Sequence, residues 1–356
     1  MTLPNPAASA KLWFNRLAPY RSAENGRAVF ELLVTLIPFL ALWSAMWLLL
    51  GHGHYWALLG VIPAGGLIVR LFIIQHDCGH GSMFTHKKAN DWVGRVIGIM
   101  TLTPYDHWRR GHALHHAGSG NLDRRGMGDD IVTLTVEEFE ALSKWEQLKY
   151  RLYRHPIVMF GLGPAYLFIL VHRLPIGSMK RKMPWISTLT TNLAVAVLYG
   201  LLIWGVGLKA FLLIQTPIII IGASIGVWMF YVQHQFDETH WSRTSEWTRE
   251  EAALHGSSYY DLPAPLMWVT GNIGVHHVHH LSSRIPFYQL PRILKAHPEL
   301  KTVGRLTLWE SFKTVRLALW CETRKKMVSF STRKTCLLYT SPSPRDRTRS
   351  RMPSSA

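Results

Sequence analysis

The chain has 356 residues, of which 48% are hydrophobic and only 17% charged, with a formal net charge of +17. That charge fraction is low against the ~25% of soluble domains, and the charges cluster so as to leave apolar runs of membrane length, which excludes an ordinary soluble protein. The same runs make an anionic lipid surface, and not nucleic acid, the partner implied by the basic excess.

Residues 1–28 form an N-terminal segment carrying Lys11, Arg16, Arg21 and Arg27. The apolar run behind it is too long for a signal-peptide core and has no evident cleavage site, so it reads as a retained membrane helix. Residues 29–50, with Glu31 near the start, can cross a ~30 Å hydrocarbon core. After the break Gly51-His-Gly-His54, residues 55–75 return, which places His76 just beyond a hairpin; Arg70 is expected to snorkel toward the interface. From His76 to Lys182 the chain is mostly polar. It holds a short apolar piece at 92–102, re-entrant or interfacial, an amphipathic stretch at 136–155, and a second short apolar piece at 157–171 whose depth stays open.

Residues 185–206 and 211–232 form a second hairpin, and His234 follows it as His76 follows the first. The hairpin tips hold one Lys and no Arg, so the positive-inside rule puts both termini and the intervening polar segments in the cytoplasm, at a bacterial-type inner membrane. Cys78, Cys321 and Cys336 offer neither a disulfide framework nor a CxxC pattern, which fits a reducing compartment. Residues 336–356 are rich in Ser, Pro and Arg and resemble adaptor read-through, so they are expected to be a non-native, disordered tail outside the 29–335 domain.

Three histidine clusters organise the rest: His76-Asp-Cys-Gly-His80, His112-Ala-Leu-His115-His116 and His276-His-Val-His279-His280. Residues three and four apart share a helix face, so each cluster aims its imidazoles one way. Imidazole suits first-row transition metals, and eight aimed ligands are too many for one ion and suit two. A catalytic zinc takes three protein ligands, and no HExxH is present. A binuclear iron site can activate O2, and its place beside a membrane points to inert C–H bonds of a lipid-soluble substrate. His52, His54, His86, His155, His172 and His297 read as structural or surface residues, whereas His107, His240 and His255 stay undecided. By proximity, Asp77, Asp106, Asp129, Asp130, Asp237 and Asn272 are candidates to hold imidazoles by their other nitrogen.

The spacing HxxxH, HxxHH, HxxHH resembles that of the integral-membrane fatty acid desaturases. His76 to His80 followed by Gly81-Ser-Met-Phe84 is similar to the first box of their acyl-lipid branch. His279-His280-Leu-Ser-Ser-Arg-Ile-Pro-Phe-Tyr288 resembles the Δ12/ω-3-type enzymes, and Tyr231-Val-Gln-His234-Gln-Phe the family stretch that supplies one more ligand. The resemblance implies an all-α membrane fold: four spans in two hairpins under a cytoplasmic helical cap holding a di-metal site. It implies the ligands His76, His80, His112, His115, His116, His234, His276, His279 and His280, with His277 beside them in an outer or incidental role. It further implies two iron ions, O2 as co-substrate, a lipid-linked acyl substrate and a cis double bond as product. No fused HPGG haem motif is present, so the electron donor is expected to be separate, ferredoxin-like first and cytochrome b5-like as the alternative. A membrane di-iron hydroxylase or ketolase of alkanes, carotenoids or sterols is the rival reading. A metal-binding transporter is the remote one, because transporters place their ionisable ligands near the bilayer midplane.

Overall fold

In hydrocarbon every backbone N–H and C=O must be satisfied within the chain, so apolar runs of this length become helices. The computed structural model describes residues 12–126, 128 and 130–337. Its main helices are α1 (Asn25–Gly51), α2 (Val61–His80), α3 (Lys87–Met100), α4 (Tyr105–Gly118), α5 (Lys182–Val206), α6 (Leu208–His234) and α7 (His276–Leu281); shorter pieces are named by their residues. Four helical stretches, α1, Tyr55–His80, α5 and α6, are long and apolar enough to cross a membrane, with mean hydropathy of 1.8 to 2.3.

The two hairpins form as the sequence implies, but α2 and α6 run further than the apolar runs do. His76 and His80 lie on the last turns of α2, and His234 is the last residue of α6. Burial of the imidazoles keeps the helix going where hydropathy alone would end it. Gly81 then stops α2 in the left-handed region at φ 68°, where glycine carries no Cβ penalty. Between α5 and α6 only Gly207 intervenes, at φ 82°.

In each hairpin the second helix is the inner one. A Cβ on Gly65 of α2 would stand 2.5 Å from Ile221 Cγ2, and one on Gly222 of α6 2.9 Å from Ile68 Cγ2, so small residues let α2 and α6 approach closely. α1 and α5 flank them, with large apolar side chains such as Ile37, Leu40, Leu193 and Trp204 turned outward to lipid. Arg70 does not snorkel. It is buried between α1 and α2, where Glu31 and Thr35 of α1 accept from it and the Trp268 carbonyl completes the set. A buried guanidinium needs a carboxylate, and Glu31 supplies one from inside the span.

The 92–102 piece belongs to α3, which buries Asn90, Asp91, Gly94 and Ile97 and exposes Trp92 and Val96. Gly94 admits the Tyr105 ring, whose Cε2 would lie 2.2 Å from an added Cβ; this fixes α4 beside α3. The 136–155 stretch is two short helices, Val136–Ala141 and Lys144–Tyr153. Each starts with a capping box, Thr135 with Glu138 and Ser143 with Glu146. The 157–171 piece continues as a helical segment, Val158–Arg173, bent by 56° from Lys144–Tyr153.

The fold is all-α as expected, and two small sheets accompany the helices. Strands β1 (Leu134–Thr135), β4 (Leu319–Cys321) and β5 (Lys326–Val328) form one, and β2 (Tyr259–Asp261) with β3 (Arg305–Thr307) the other. β1 runs parallel to β4 with Leu134 opposite Leu319, and β2 parallel to β3 with Tyr260 opposite Leu306. Such two- and three-residue strands are too short for an alternating pattern to be read. The cysteine reading also changes: Cys321 and Cys336 are joined as a disulfide and both are buried, while Cys78 is free. Cys336 and Leu337 thus close the fold on a short helix, Lys334–Leu337; the rest of the expected tail, 338–356, lies outside the described residues.

Candidate metal centre

The histidines converge at the C-terminal ends of α2 and α6. All nine expected ligands come together, sorted into two groups whose ring nitrogens each lie within 4.8 Å of one another. The first group is His76, His80, His112, His116 and His279, and the second is His115, His234, His276 and His280. His76 and His80 point one way as expected, but the second and third boxes each divide between the groups, which corrects the expectation for them. At 3.6 residues per turn, positions four apart differ by about 40° and positions three apart by about 60° in the opposite sense. His112 and His116 therefore go together and His115 turns to the other group, while α7 sends His276 and His280 one way and His279 the other.

The nitrogens facing inward are Nε2 throughout. In the first group, Nε2 to Nε2 distances are 3.3 Å for His76 and His80, 3.0 Å for His80 and His112, and 3.1 Å for both His112 with His116 and His116 with His279. In the second they are 3.3 Å for His115 and His280, 3.1 Å for His280 and His276, and 3.0 Å for His276 and His234.

The outward nitrogens determine what those contacts can be. His234 Nδ1 lies 3.1 Å from the Gly256 carbonyl, which can only accept, so Nδ1 carries the proton and Nε2 a bare lone pair. His76 Nδ1 meets Asp77 Oδ1 at 3.0 Å, and His115 Nδ1 meets Asp130. These carboxylates impose the same tautomer. Each Nε2 holds either one proton or one lone pair, so a chain of four such contacts among five nitrogens cannot consist of hydrogen bonds throughout. Convergent lone pairs with nothing between them repel, and a cation in each group removes the conflict. Burial acts in the same direction: it holds His112, His116, His276, His279 and His280 well below the ordinary imidazole pKa, with neighbouring imidazoles adding to the effect. The residues present fit two metal ions with nitrogen donors.

Other sequence candidates fall differently. Asp77 also accepts the Phe287 N–H at 2.6 Å through Oδ2, tying the first box to the chain beyond the third. Asp130 holds His115, as above. Asp106 pairs with Arg95 at 2.8 Å, Asp237 is exposed, and Asp129 lies outside the described residues. Asn272 does not hold an imidazole; it occupies a left-handed turn at φ 54° before α7, a conformation Asn tolerates. His277 joins neither group. Its ring lies 6.1 Å from Tyr259, and burial lowers its pKa to about 4. His107, His240 and His255 also stand apart from both groups. Sequence reading missed the Gly256 carbonyl, because a backbone acceptor leaves no residue-type signal. It also missed Trp108, which stacks on His112 at 4.8 Å with an interplanar angle of 12°.

The family model for fatty acid desaturases matches residues 55–311. A fatty acid desaturase of Bacillus subtilis (strain 168) is 42% identical over 330 residues, 93% of each chain. An sn-1 acyl-lipid omega-3 desaturase (ferredoxin) of Synechocystis sp. is 28% identical over 263 residues, 70% of each chain. An sn-1 oleoyl-lipid 12-desaturase of Synechocystis sp. is 28% identical over 251 residues, 67% of each chain.

Proposed function

The chain belongs to the fatty acid desaturase family and is an oxidoreductase of membrane lipid metabolism; from that premise we propose that it introduces a cis double bond, with Δ12/ω-6- or ω-3-like selectivity, into a lipid-linked acyl chain. The observation that carries the reading is the sorting of nine imidazoles, most of them buried, into two groups at the ends of the apolar helices. His76, His80, His112, His116 and His279 would hold one iron, and His115, His234, His276 and His280 the other. Two such ions would supply the O2 chemistry, in which O2, two electrons and two protons, with two hydrogens taken from neighbouring methylenes, give the alkene and two waters.

The chain's own residues do the rest. Asp77, Asp130 and the Gly256 carbonyl fix three rings with Nε2 inward, so the donor set is preorganised. Trp108 and Phe230, the latter 4.9 Å from His115, cover the rings with apolar surface that keeps bulk water from the oxidising centre. The excess of 39 Lys and Arg over 22 Asp and Glu supports a separate acidic donor, ferredoxin-like as in the printed name of the Synechocystis omega-3 relative. The charge-poor hairpin tips support a bacterial-type inner membrane with the histidines on the cytoplasmic side.

Expression in a desaturase-null host, with mass spectrometry to locate any new double bond, tests the reading. A new double bond without retained oxygen is expected; an alcohol would favour the hydroxylase alternative.

A further inference from the structure

Away from the histidine groups, polar side chains gather where α4 and the segment Val171–Arg173 meet α5. Arg173 donates from Nη1 to Asn192 Oδ1 at 2.8 Å and from Nη2 to the Leu102 carbonyl. Leu102 itself is held at φ 54°. The Arg173 Nε, His172 Nδ1, His107 Nδ1 and the Oγ1 of fully buried Thr188 have no hydrogen-bond partner. Thr188 lies one helical turn from Asn192 on the same face, and the backbone N–H of His107 donates to the adjoining Ser187 Oγ at 3.2 Å. Among the described residues no carboxylate pairs with Arg173; Asp91 of α3 and Asp106 of α4 are taken up by Lys87, Arg95 and Arg109. A guanidinium at the edge of a membrane domain is costly to keep without an anion. Exposed Lys180, Arg181 and Lys182 follow within a few residues and add attraction for an anionic lipid surface.

A line of rings leads from this place to the metal centre. His172 lies 4.9 Å from Phe168, Phe168 6.2 Å from Phe72, and Phe72 5.2 Å from Trp108. Trp108 in turn stacks on His112 and lies 6.0 Å from His76. Phe72 and Phe168 are only half-buried, so in a bilayer their open sides meet acyl chains.

We propose that Arg173, with Asn192, Thr188, His172 and His107, anchors the phosphate of an anionic glycerophospholipid whose acyl chain follows Phe168, Phe72 and Trp108 to the histidine groups. The fate of that chain rests on the desaturase reading; the binding does not. Anchoring the head group fixes the distance from the ester to the metal centre.

The test places the full chain in nanodiscs of a neutral galactolipid doped with phosphatidylglycerol bearing a diazirine on one acyl chain, with crosslinks mapped by peptide mass spectrometry. Labelling is expected in the peptides containing Phe72, Trp108 and Phe168. It should fall at least ~10-fold in Arg173→Gln, the loss of one good anion contact, while Arg173→Lys keeps part of it. Asn192→Ala, which keeps the charge and removes its holder, should reduce labelling less than Arg173→Gln. Equal labelling of wild type and Arg173→Gln, or equal labelling by a galactolipid carrying the same diazirine, overturns the anchor. Should Arg173→Gln fail to fold, undiminished labelling in both Arg173→Lys and Asn192→Ala overturns it equally. Arg173-dependent labelling in an enzyme that makes no double bond would leave the site standing and remove the desaturase reading.

Discussion

The two histidine groups differ in how they are built. The first takes both rings of its opening box from α2, and one of its five imidazoles is oriented by a carboxylate, Asp77. The second takes a single ring from a span, His234, yet two of its four imidazoles are oriented from outside, by Asp130 and by the Gly256 carbonyl. Two rings of the first are thus set by one helix end, and two of the second by hydrogen bonds from loops. Neither can assemble alone, because α4 and α7 each contribute rings to both.

If that joint construction holds, removing a ligand from either group should be equally damaging. His279→Ala in the first and His115→Ala in the second are each expected to abolish product while the protein still inserts. The loss should exceed the ~10–100-fold typical of outer partners of metal ligands. Product analysis of membranes normalised to inserted protein checks this, and normal turnover in either variant breaks the symmetry.

The orienting groups should separate the two. Asp77→Asn and Asp130→Asn are each expected to cost about 10–100-fold in activity or metal affinity. Asp77 also accepts the Phe287 N–H, so Asp77→Asn should lower the thermal midpoint as well. Asp130→Asn should leave it nearly unchanged, and equal midpoints would contradict the distinction.

A pH series probes both groups together. Burial holds His112, His116, His276, His279 and His280 below the ordinary 6.5, so below that pH the unfolded chain binds more protons than the folded one. Stability of the metal-free protein is then full above pH 6.5 and falls as the pH drops, by at most about 1.4 kcal/mol per unit for each ring. Thermal unfolding in detergent at several pH values should show that decline; a flat profile would contradict it.

The smallest effect is expected at Gly256. An added Cβ would stand 2.5 Å from the Ala252 carbonyl oxygen, which displaces the backbone acceptor of His234. Gly256→Ala should reduce turnover several-fold through the second group alone. Unchanged turnover would show that the carbonyl does not orient His234.

Much of this was legible in the sequence. The hairpins follow from apolar length, and the three boxes from helical spacing. His234 required the likeness of its flanking residues to the family, since one histidine at a helix end carries no pattern. The sorting into five and four was not legible, because it depends on how α4 and α7 sit against each other. Asp130 was one of six equal candidates, and only folding brings it, and not Asn272, to an imidazole. Arg70 misled because its partner Glu31 lies 39 residues away on another span. The short strands and the burial of Cys336 arise from tertiary pairing that local composition cannot encode.

The most direct test is metal content. Iron and zinc should be quantified per chain in protein purified anaerobically in detergent, beside His279→Ala and His115→Ala. The account predicts two irons in the wild type and close to one in each variant. A wild type holding a single ion, or zinc in place of iron, would contradict it.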